Sequence, residues 1–268
     1  MKKIFKIAAF VLAAFAFSAC TSTTGGGSVG ADRGQMMLVS EAAMNEQADS
    51  QYAEVIAEAR KNHTLNPDLA TTERVRNIAR RLIAQCGVFR KDALNWNWQV
   101  NVIQEDTVNA WCMPGGKIVV YTGIIDALKL TDGELAAIMG HEISHALKEH
   151  SREQSSKQVL ADIGVSVVSE IAGLGDLGSL ALALGVQYGL TLPFSRKCET
   201  EADNMGTELM ARAGYDPHEA VNVWIKMNKL GGSSVPQILS THPSNDSRIK
   251  NLTEVSETVY PLYRAAAK

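Results

Sequence analysis

The chain has 268 residues, of which 46% are hydrophobic and 21% are charged, an ordinary composition for a globular protein. Its formal net charge is −3 and no long basic run occurs, so nothing in the charge pattern supports nucleic-acid binding. The length is enough for one large domain or two small ones.

The N-terminus has the three parts of a secretory signal peptide: basic MKKIFK, apolar IAAFVLAAFAF and then FSAC. The apolar run is too short for a permanent membrane span. FSAC resembles a bacterial lipobox, which implies that residues 1–19 are removed and that Cys20 carries a lipid. Cleavage without lipidation is the alternative. Residue 21 is threonine and not aspartate. By resemblance to the sorting of lipoproteins in Gram-negative bacteria, this implies an anchor in the outer membrane, with the domain facing the periplasm.

The polar, glycine-rich residues 20–35 predict a flexible tether, and residues 36–268 predict the folded domain. Three cysteines follow in that domain: Cys86, Cys112 and Cys198. Because export leads to an oxidising compartment, one disulfide is expected, although the sequence does not choose the pair.

Hydrophobic periodicity predicts two helices, over about residues 36–61 and 67–85. The alternating WNWQVNVI predicts a half-buried strand, and KIVVY predicts a second one. The apolar, glycine-rich residues 159–192 are interrupted by acids, which favours a helical hairpin or a lid over a membrane span.

Three further helices are predicted. TDGELAAIMGHEISHALKEH begins with Thr131 as N-cap and Glu134 completing a capping box. RKCETEADNMGTELMARAG ends at Gly214, and DPHEAVNVWIKMNKLGG has an N-terminal Asp-Pro and a C-terminal glycine. The fold class is therefore α+β and mostly helical, with a small sheet.

The stretch MGHEISHALKEH contains the pattern H-E-x-x-H, a zinc-protease signature when it lies on a helix. His141 and His145 are four residues apart, so both imidazoles project from one face and can reach one zinc ion. Glu142 lies about 100° around the helix, where it can accept a proton from metal-bound water. The apolar surroundings predict a buried helix, on which unpaired polar groups would be costly.

His150 lies five residues beyond His145 and about 140° around the helix, so it cannot reach the same ion without a break in the helix. The longer motif with a third histidine is excluded, because Lys148 and Ser151 stand where it needs glycine and histidine. His150 is therefore predicted to be structural or solvent-facing.

The third metal ligand must come from elsewhere, and CETEAD offers two candidates, Glu199 and Glu201, together with Asp203. Glu199 and Asp203 are four residues apart and share a helix face. One could ligate the metal while the other hydrogen-bonds a ligand histidine.

Four ordered blocks resemble the zinc metallopeptidases that include HtpX, the CAAX prenyl proteases and the BepA-type periplasmic proteases: NAWCMPGGKIVVYTGII, LTDGELAAIMGHEISHALKEH, SRKCETEADNMG with LMARAGYDP, and THPSNDSRI. The resemblance covers roughly residues 70–255. It implies a zincin-like fold with a small sheet beside the H-E-x-x-H helix, and one Zn²⁺ per chain. The membrane helices of some members are absent, so the chain resembles a soluble, lipid-tethered branch.

The family pattern E-x-x-x-D assigns Glu199 as the third zinc ligand and Asp203 as the partner of a ligand histidine. The resemblance also implies that His242 lies near the metal, either to stabilise an oxyanion or to bind zinc in a closed resting state. Arg248 is a candidate support for the His242 loop.

The predicted function is hydrolysis of peptide bonds in misfolded cell-envelope proteins, with Glu142 activating zinc-bound water. KIVVY is predicted to be an edge strand that pairs with an extended substrate. Val119, Tyr121 and Asn109 are the corresponding substrate-binding candidates. The alternative is a zinc-containing chaperone or assembly factor for outer-membrane proteins that does not cleave them.

Overall fold

The structure is a computed structural model, and it describes residues 20–172, 194–230, 237–242 and 246–266. The predicted signal peptide and most of the predicted hairpin or lid lie outside the described residues. Helices dominate the described part and surround a three-stranded sheet, which confirms the predicted α+β, mostly helical class. None of the described helices contains a stretch both long and apolar enough to cross a membrane.

The described helices and strands alternate irregularly along the chain. The helices are α1 (Glu41–Lys61), α2 (Leu69–Ile83), α3 (Thr122–Leu128), α4 (Asp132–Leu147), α5 (His150–Ala172), α6 (Arg196–Arg212), α7 (Glu219–Lys229), α8 (Gln237–Thr241) and α9 (Asp246–Ala266). The strands are β1 (Cys20–Thr21), β2 (Gln35–Met36), β3 (Gln99–Ile103), β4 (Ala110–Met113) and β5 (Lys117–Tyr121). The predicted helices are present, with α1 beginning five residues later than predicted because Ser40 is its N-cap.

The main sheet has the order β3-β5-β4, with β5 parallel to β3 and antiparallel to β4. The prediction that KIVVY is an edge strand is therefore wrong, because β5 pairs on both sides. Four consecutive residues of β5 are buried, which is typical of a strand covered on both faces. The edge strand beside the histidines is β4, which the hydrophobic pattern did not predict.

The two faces of the sheet belong to two hydrophobic clusters. On one face, Val119 and Ile103 pack with Tyr52 and Ala59 of α1. The other face joins the main core, which α2, α4, α6 and α7 complete. Val119 is fully buried in the first cluster, so it cannot contact a substrate as predicted.

Helix α4 carries the two histidines and is buried along almost its whole length. The predicted capping box is confirmed: Thr131 accepts from the Glu134 backbone N–H, and Glu134 accepts from the Thr131 backbone N–H. Gly140 and Gly206 let α4 and α6 meet backbone to backbone. A Cβ on Gly206 would lie 2.6 Å from the His141 backbone nitrogen. This contact aligns α6 beside the histidine pair.

The prediction of a flexible tether over residues 20–35 is wrong for its described side chains. Gln35 is buried and donates to the Lys148 carbonyl and to Glu153. The Lys148 side chain, itself fully buried, donates to Thr24 and to the Ala31 carbonyl. These contacts hold the segment 21–36 against the junction between α4 and α5. We call residues 21–36 the N-terminal strap.

The expected disulfide is absent from the described residues, because all three cysteines are free. Each lies in a different element: Cys86 follows α2, Cys112 lies in β4 and Cys198 lies in α6. Cys86 and Cys198 are buried, and burial raises the pKa of both thiols, that of Cys86 to about 12.

Candidate metal centre

The histidines of H-E-x-x-H converge as their spacing predicts. The Nε2 atoms of His141 and His145 are 3.1 Å apart on the buried face of α4. His141 is 5% exposed and His145 is 4% exposed. Two such nitrogens facing each other at this distance provide lone pairs for a shared cation.

The third and fourth donors come from α6 and from the residue after α8. Glu199 Oε1 lies 3.4 Å from His145 Nε2, and Glu199 Oε2 lies 3.5 Å from His141 Nε2. His242 Nδ1 lies 3.0 Å from Glu199 Oε1 and 3.2 Å from His141 Nε2. The four side chains thus face one point.

The spacing of these donors fits zinc. Ligand atoms of His141, His145, Glu199 and His242 all lie within 4.8 Å of one another, and all four residues are buried. Zinc bonds of ~2.0–2.1 Å in tetrahedral geometry place neighbouring ligand atoms about 3.3 Å apart. The observed separations of 3.0 to 3.5 Å lie around that value. Three imidazoles and one carboxylate are also a donor set that zinc accepts.

Asp203 lies behind His141, as predicted for a carboxylate that orients a ligand. Its Oδ1 is 3.0 Å from His141 Nδ1 and accepts the proton of that nitrogen when Nε2 faces the metal. Arg248 of α9 donates to both oxygens of Asp203, at 2.7 and 2.8 Å. The same guanidinium pairs with Glu199 Oε2 at 2.8 Å and stacks 3.5 Å above the Trp224 ring. Arg248 therefore braces the two carboxylates of α6 rather than a loop alone.

The charges of these groups follow from their surroundings. Burial raises the pKa of Glu199, but hydrogen bonds with His141, His145 and His242 outweigh it and lower that pKa. Burial also raises the pKa of Asp203, and Arg248 and His141 lower it below its ordinary value. Both carboxyls are therefore ionised, as a metal ligand and its supporting acceptor must be.

The two ligand histidines differ. Burial and the Arg248 charge lower the pKa of His141, but hydrogen bonds with Asp203 and Glu199 outweigh them and raise it to about 9. Burial lowers the pKa of His145 well below its ordinary value, and the charges of His141 and His150 lower it further, against the hydrogen bond with Glu199. The carboxylates thus hold a proton on His141, and a metal at Nε2 would displace the proton from that nitrogen only.

Glu142 lies beside the four donors and is 4% exposed. Its Oε1 is buried without a hydrogen-bond partner among the described residues, and it lies 3.6 Å from His242 Nε2. An unpaired carboxylate oxygen is costly to bury and is retained here beside the donor cluster. Burial raises the pKa of Glu142, against the opposing effect of His242 and His141. A raised pKa suits a group that takes and returns protons near neutral pH.

The prediction that His150 is structural or solvent-facing missed a contact with the site. Helix α4 ends at Leu147, and Glu149 has a left-handed φ of 53°, so the chain turns before α5 begins. That turn brings His150 Nδ1 to 2.9 Å from His145 Nδ1. His150 Nε2 in turn lies 3.1 Å from Glu201 Oε2. His150 is fully buried behind a ligand rather than exposed.

A groove of about 400 Å³ opens beside the donors. Its lining includes the edge strand β4 with the preceding Asn109, and Met44, Gln47 and Gln51 of α1. Glu142, His145 and His242 line the same groove. Asn109 lines the groove, and its role in binding substrate stays a prediction. Tyr121 lies with Val55 and Trp111 in the cluster under α1.

Comparison with known proteins agrees with this geometry. Among the relatives, the mitochondrial metalloendopeptidase OMA1 of Arabidopsis thaliana is 43% identical over 170 residues, which cover 63% of this chain and 34% of that protein. The namesake of Schizosaccharomyces pombe is 36% identical over 209 residues, covering 77% and 59%. The beta-barrel assembly-enhancing protease of Yersinia pestis is 28% identical over 228 residues, covering 80% and 44%.

The chain thus spans between 34% and 59% of the length of these three relatives. The sequence profile of peptidase family M48 matches residues 69–256, which is more than half of the chain and includes every donor of the site. The predicted resemblance to this group of zinc metallopeptidases is confirmed. The chain belongs to peptidase family M48.

Proposed function

We propose that the protein is a zinc-dependent metalloendopeptidase. The observation that carries the proposal is the convergence of His141, His145 and Glu199 on one point, with Glu142 buried beside it and its Oε1 lacking a hydrogen-bond partner among the described residues. A groove bounded by an edge strand passes the same point. These are the parts that hydrolysis of an extended polypeptide requires.

His141, His145 and Glu199 would hold the ion, and Asp203 and Arg248 would keep the first and third of them in place. Bound zinc supplies a Lewis acid that polarises a carbonyl and lowers the pKa of water toward ~7. The Asp203 carboxylate holds the proton of His141 Nδ1, so Nε2 stays free for the metal. Arg248 offsets the two negative charges that α6 brings into the core.

Glu142 is the general base in this proposal. It takes a proton from the attacking water and passes it to the leaving amine. Its position on α4, one residue after His141, places Glu142 in the lining of the groove without making it a ligand. Its raised pKa favours the return of the proton in the second step.

His242 closes the site in the arrangement described. Its Nδ1 stands among the three other donors, where a water would have to enter. We therefore assign His242 to a closed resting state, which hydrolysis must open. The oxyanion role predicted for His242 would require its imidazole to leave this position among the donors.

The edge of β4 offers the surface for substrate. Extended chains add to exposed edges through main-chain hydrogen bonds, which tolerate many side chains. Asn109 precedes this edge, and residues of α1 line the same groove. We assign extended, unfolded polypeptides as the substrate class on this ground.

The cellular setting extends the proposal. The lipobox-like FSAC supports a lipid anchor at Cys20. The name of the Yersinia pestis relative, a beta-barrel assembly-enhancing protease, supports substrates among misfolded envelope proteins. The N-terminal strap is packed onto the domain, so a lipid on Cys20 would hold the domain close to the outer membrane.

The test is cleavage of fluorescently labelled casein by the purified protein, with zinc content measured on the same sample. We expect cleavage that a chelator abolishes and added zinc restores. Glu142→Gln should keep one zinc per chain and lose cleavage by at least about 1,000-fold. Zinc-loaded wild-type protein that cleaves no unfolded substrate, while Glu142→Gln still rescues a deletion strain, would favour the chaperone or assembly role instead.

A further inference from the structure

The turn between α4 and α5 connects the metal centre to the N-terminal strap through a row of polar groups, of which His145 and His150 are buried and Glu201 and Arg33 are half-buried. His145 contacts His150, His150 contacts Glu201, and Glu201 accepts two hydrogen bonds from Arg33 of the strap. Arg33 also forms a two-pronged pair with Glu153 of α5, at 2.7 and 2.9 Å. None of these contacts is needed by the hydrolytic roles assigned above.

The protons in this row can be placed in only one consistent direction. If His145 ligates through Nε2, its neutral ring carries a proton on Nδ1 and donates it to His150 Nδ1. A neutral His150 that accepts at Nδ1 must carry its own proton on Nε2 and donates it to Glu201. The row therefore ends on a carboxylate whose charge Arg33 offsets.

We infer that Arg33, Glu201 and His150 position the imidazole of His145 for the metal, and that the N-terminal strap is thereby part of the metal centre. The inference rests on the proposed role of His145 as a zinc ligand. A metal-bound histidine whose second nitrogen donates to a fixed acceptor keeps one tautomer and one ring orientation. Here the carboxylate acts through one intervening imidazole instead of directly.

The charges in this region disfavour a second metal site. His150, Glu153 and Cys198 also lie within ligand distance of one another. The Glu153 carboxylate, however, is already paired with the Arg33 guanidinium and the Lys157 ammonium. Two positive groups on one candidate ligand oppose binding of a cation there.

Two substitutions of His150 separate hydrogen bonding from packing. His150→Phe keeps a ring of similar shape but removes both hydrogen bonds. His150→Gln keeps an acceptor for His145 and a donor for Glu201. We expect His150→Phe to weaken zinc binding by about 10- to 100-fold, and His150→Gln to restore most of the loss. Zinc affinity is measured by competition with a chromophoric chelator.

Arg33→Gln tests the strap, and Glu208→Gln is its matched control. Glu208 is also buried and also holds the strap, by accepting from the Ser28 backbone N–H at 2.8 Å, but it makes no contact with His150. We expect Arg33→Gln to weaken zinc binding several-fold and Glu208→Gln to leave it within twofold. Equal losses in both variants would mean general loosening and would overturn the inference.

Nitrogen NMR of the imidazole rings in the zinc-loaded protein reads the tautomer directly. We expect His145 to carry its proton on Nδ1 in the wild type and in His150→Gln, and to lose a single tautomer in His150→Phe. If His150→Phe left both the zinc affinity and the tautomer of His145 unchanged, the inference would be overturned and the proposed function would still stand. Failure of the proposed function is distinct: wild-type protein would then bind zinc no better than His145→Ala.

Discussion

The close contact between α4 and α6 makes Gly206→Ala the sharpest test of how the metal centre is built. The added Cβ would lie 2.6 Å from the His141 backbone nitrogen and 2.7 Å from the Gly140 carbonyl carbon. Both obstacles are backbone atoms of a buried helix, so neither can rotate away. Ordinary contact begins near 3.4 Å, so the helices must separate by about 0.8 Å.

That separation exceeds what a zinc site tolerates. Ligand distances hold within about 0.2 Å, and α4 supplies two ligands while α6 supplies Glu199. We expect Gly206→Ala to lower the free energy of unfolding of the metal-free protein by about 1–3 kcal/mol, the range for an overpacked core. Zinc affinity should fall by at least about tenfold, because Glu199 and Asp203 move with α6.

Urea unfolding of the metal-free protein and chelator competition measure the two effects separately. Gly164→Ala is the matched control, since a Cβ there meets no atom within 4 Å on the exposed side of α5. It should be neutral or stabilise the protein by up to about 1 kcal/mol. If Gly206→Ala matched Gly164→Ala in both measurements, the backbone contact would not set the site geometry.

Three other predictions follow from single groups. Asp203→Asn removes the charge opposite Arg248 and leaves only a neutral carbonyl oxygen as the acceptor behind His141, so zinc affinity measured by chelator competition should fall about 10- to 100-fold. Glu142 must be ionised to act as a base and its pKa is raised by burial, so kcat/KM should rise with pH through an acid limb above the ordinary glutamate value of 4.5. Zinc content measured at each pH checks that the loss of activity at low pH is not a loss of metal. An acid limb centred at or below pH 4.5 would contradict the assignment of Glu142 as the base. Lys148→Met removes the buried donor to the strap and should lower the free energy of unfolding by about 2 kcal/mol in urea titrations, while Lys61→Met, at a side chain 78% exposed, should change it by less than about 0.5 kcal/mol.

The parts of the site that lie within one helix could be predicted from the sequence. The spacing of His141 and His145 and the capping box at Thr131 are local, and each fixes geometry within a few residues. The facing of Glu199 and Asp203 is local too, but the choice of Glu199 over Glu201 needed the family pattern. Only the packing of α6 on α4 shows that Glu201 points away, toward His150.

The failures came from extending local rules beyond their range. The angle of about 140° from His145 to His150 holds only along one continuous helix, whereas α4 ends at Leu147 and Glu149 turns the chain. The sequence does indicate the end of this helix. A buried helix that continued through Lys148 and Glu149 would bury both charges, which is costly unless they are paired. The four apolar residues of KIVVY likewise indicated a strand covered on both faces rather than an edge.

The sequence pattern does not predict the packing of the N-terminal strap, for a different reason. Its composition is that of a linker, and composition reports the conformational entropy that a segment must lose but not the partners that compensate for it. Here the partners are buried polar groups on distant elements. Lys148 takes its hydrogen-bond acceptors from the strap, and Glu201 takes its cation from Arg33. Without these strap contacts, the Lys148 ammonium would lose its acceptors in the buried interior, and the half-buried Glu201 carboxylate would keep only its contact with His150.

The donors of the metal centre differ in how firmly the fold holds them, and this difference bears on His242. His141, His145 and Glu199 lie on α4 and α6, whose backbones touch at Gly140 and Gly206. His242 follows α8, a helix of five residues, and its imidazole is the one that stands between Glu142 and the other donors. Moving His242 shifts the end of a five-residue helix, whereas moving any other donor would disturb the backbone contact between α4 and α6. The fold therefore favours His242 as the donor that leaves to admit water and substrate, while the other three remain with the ion.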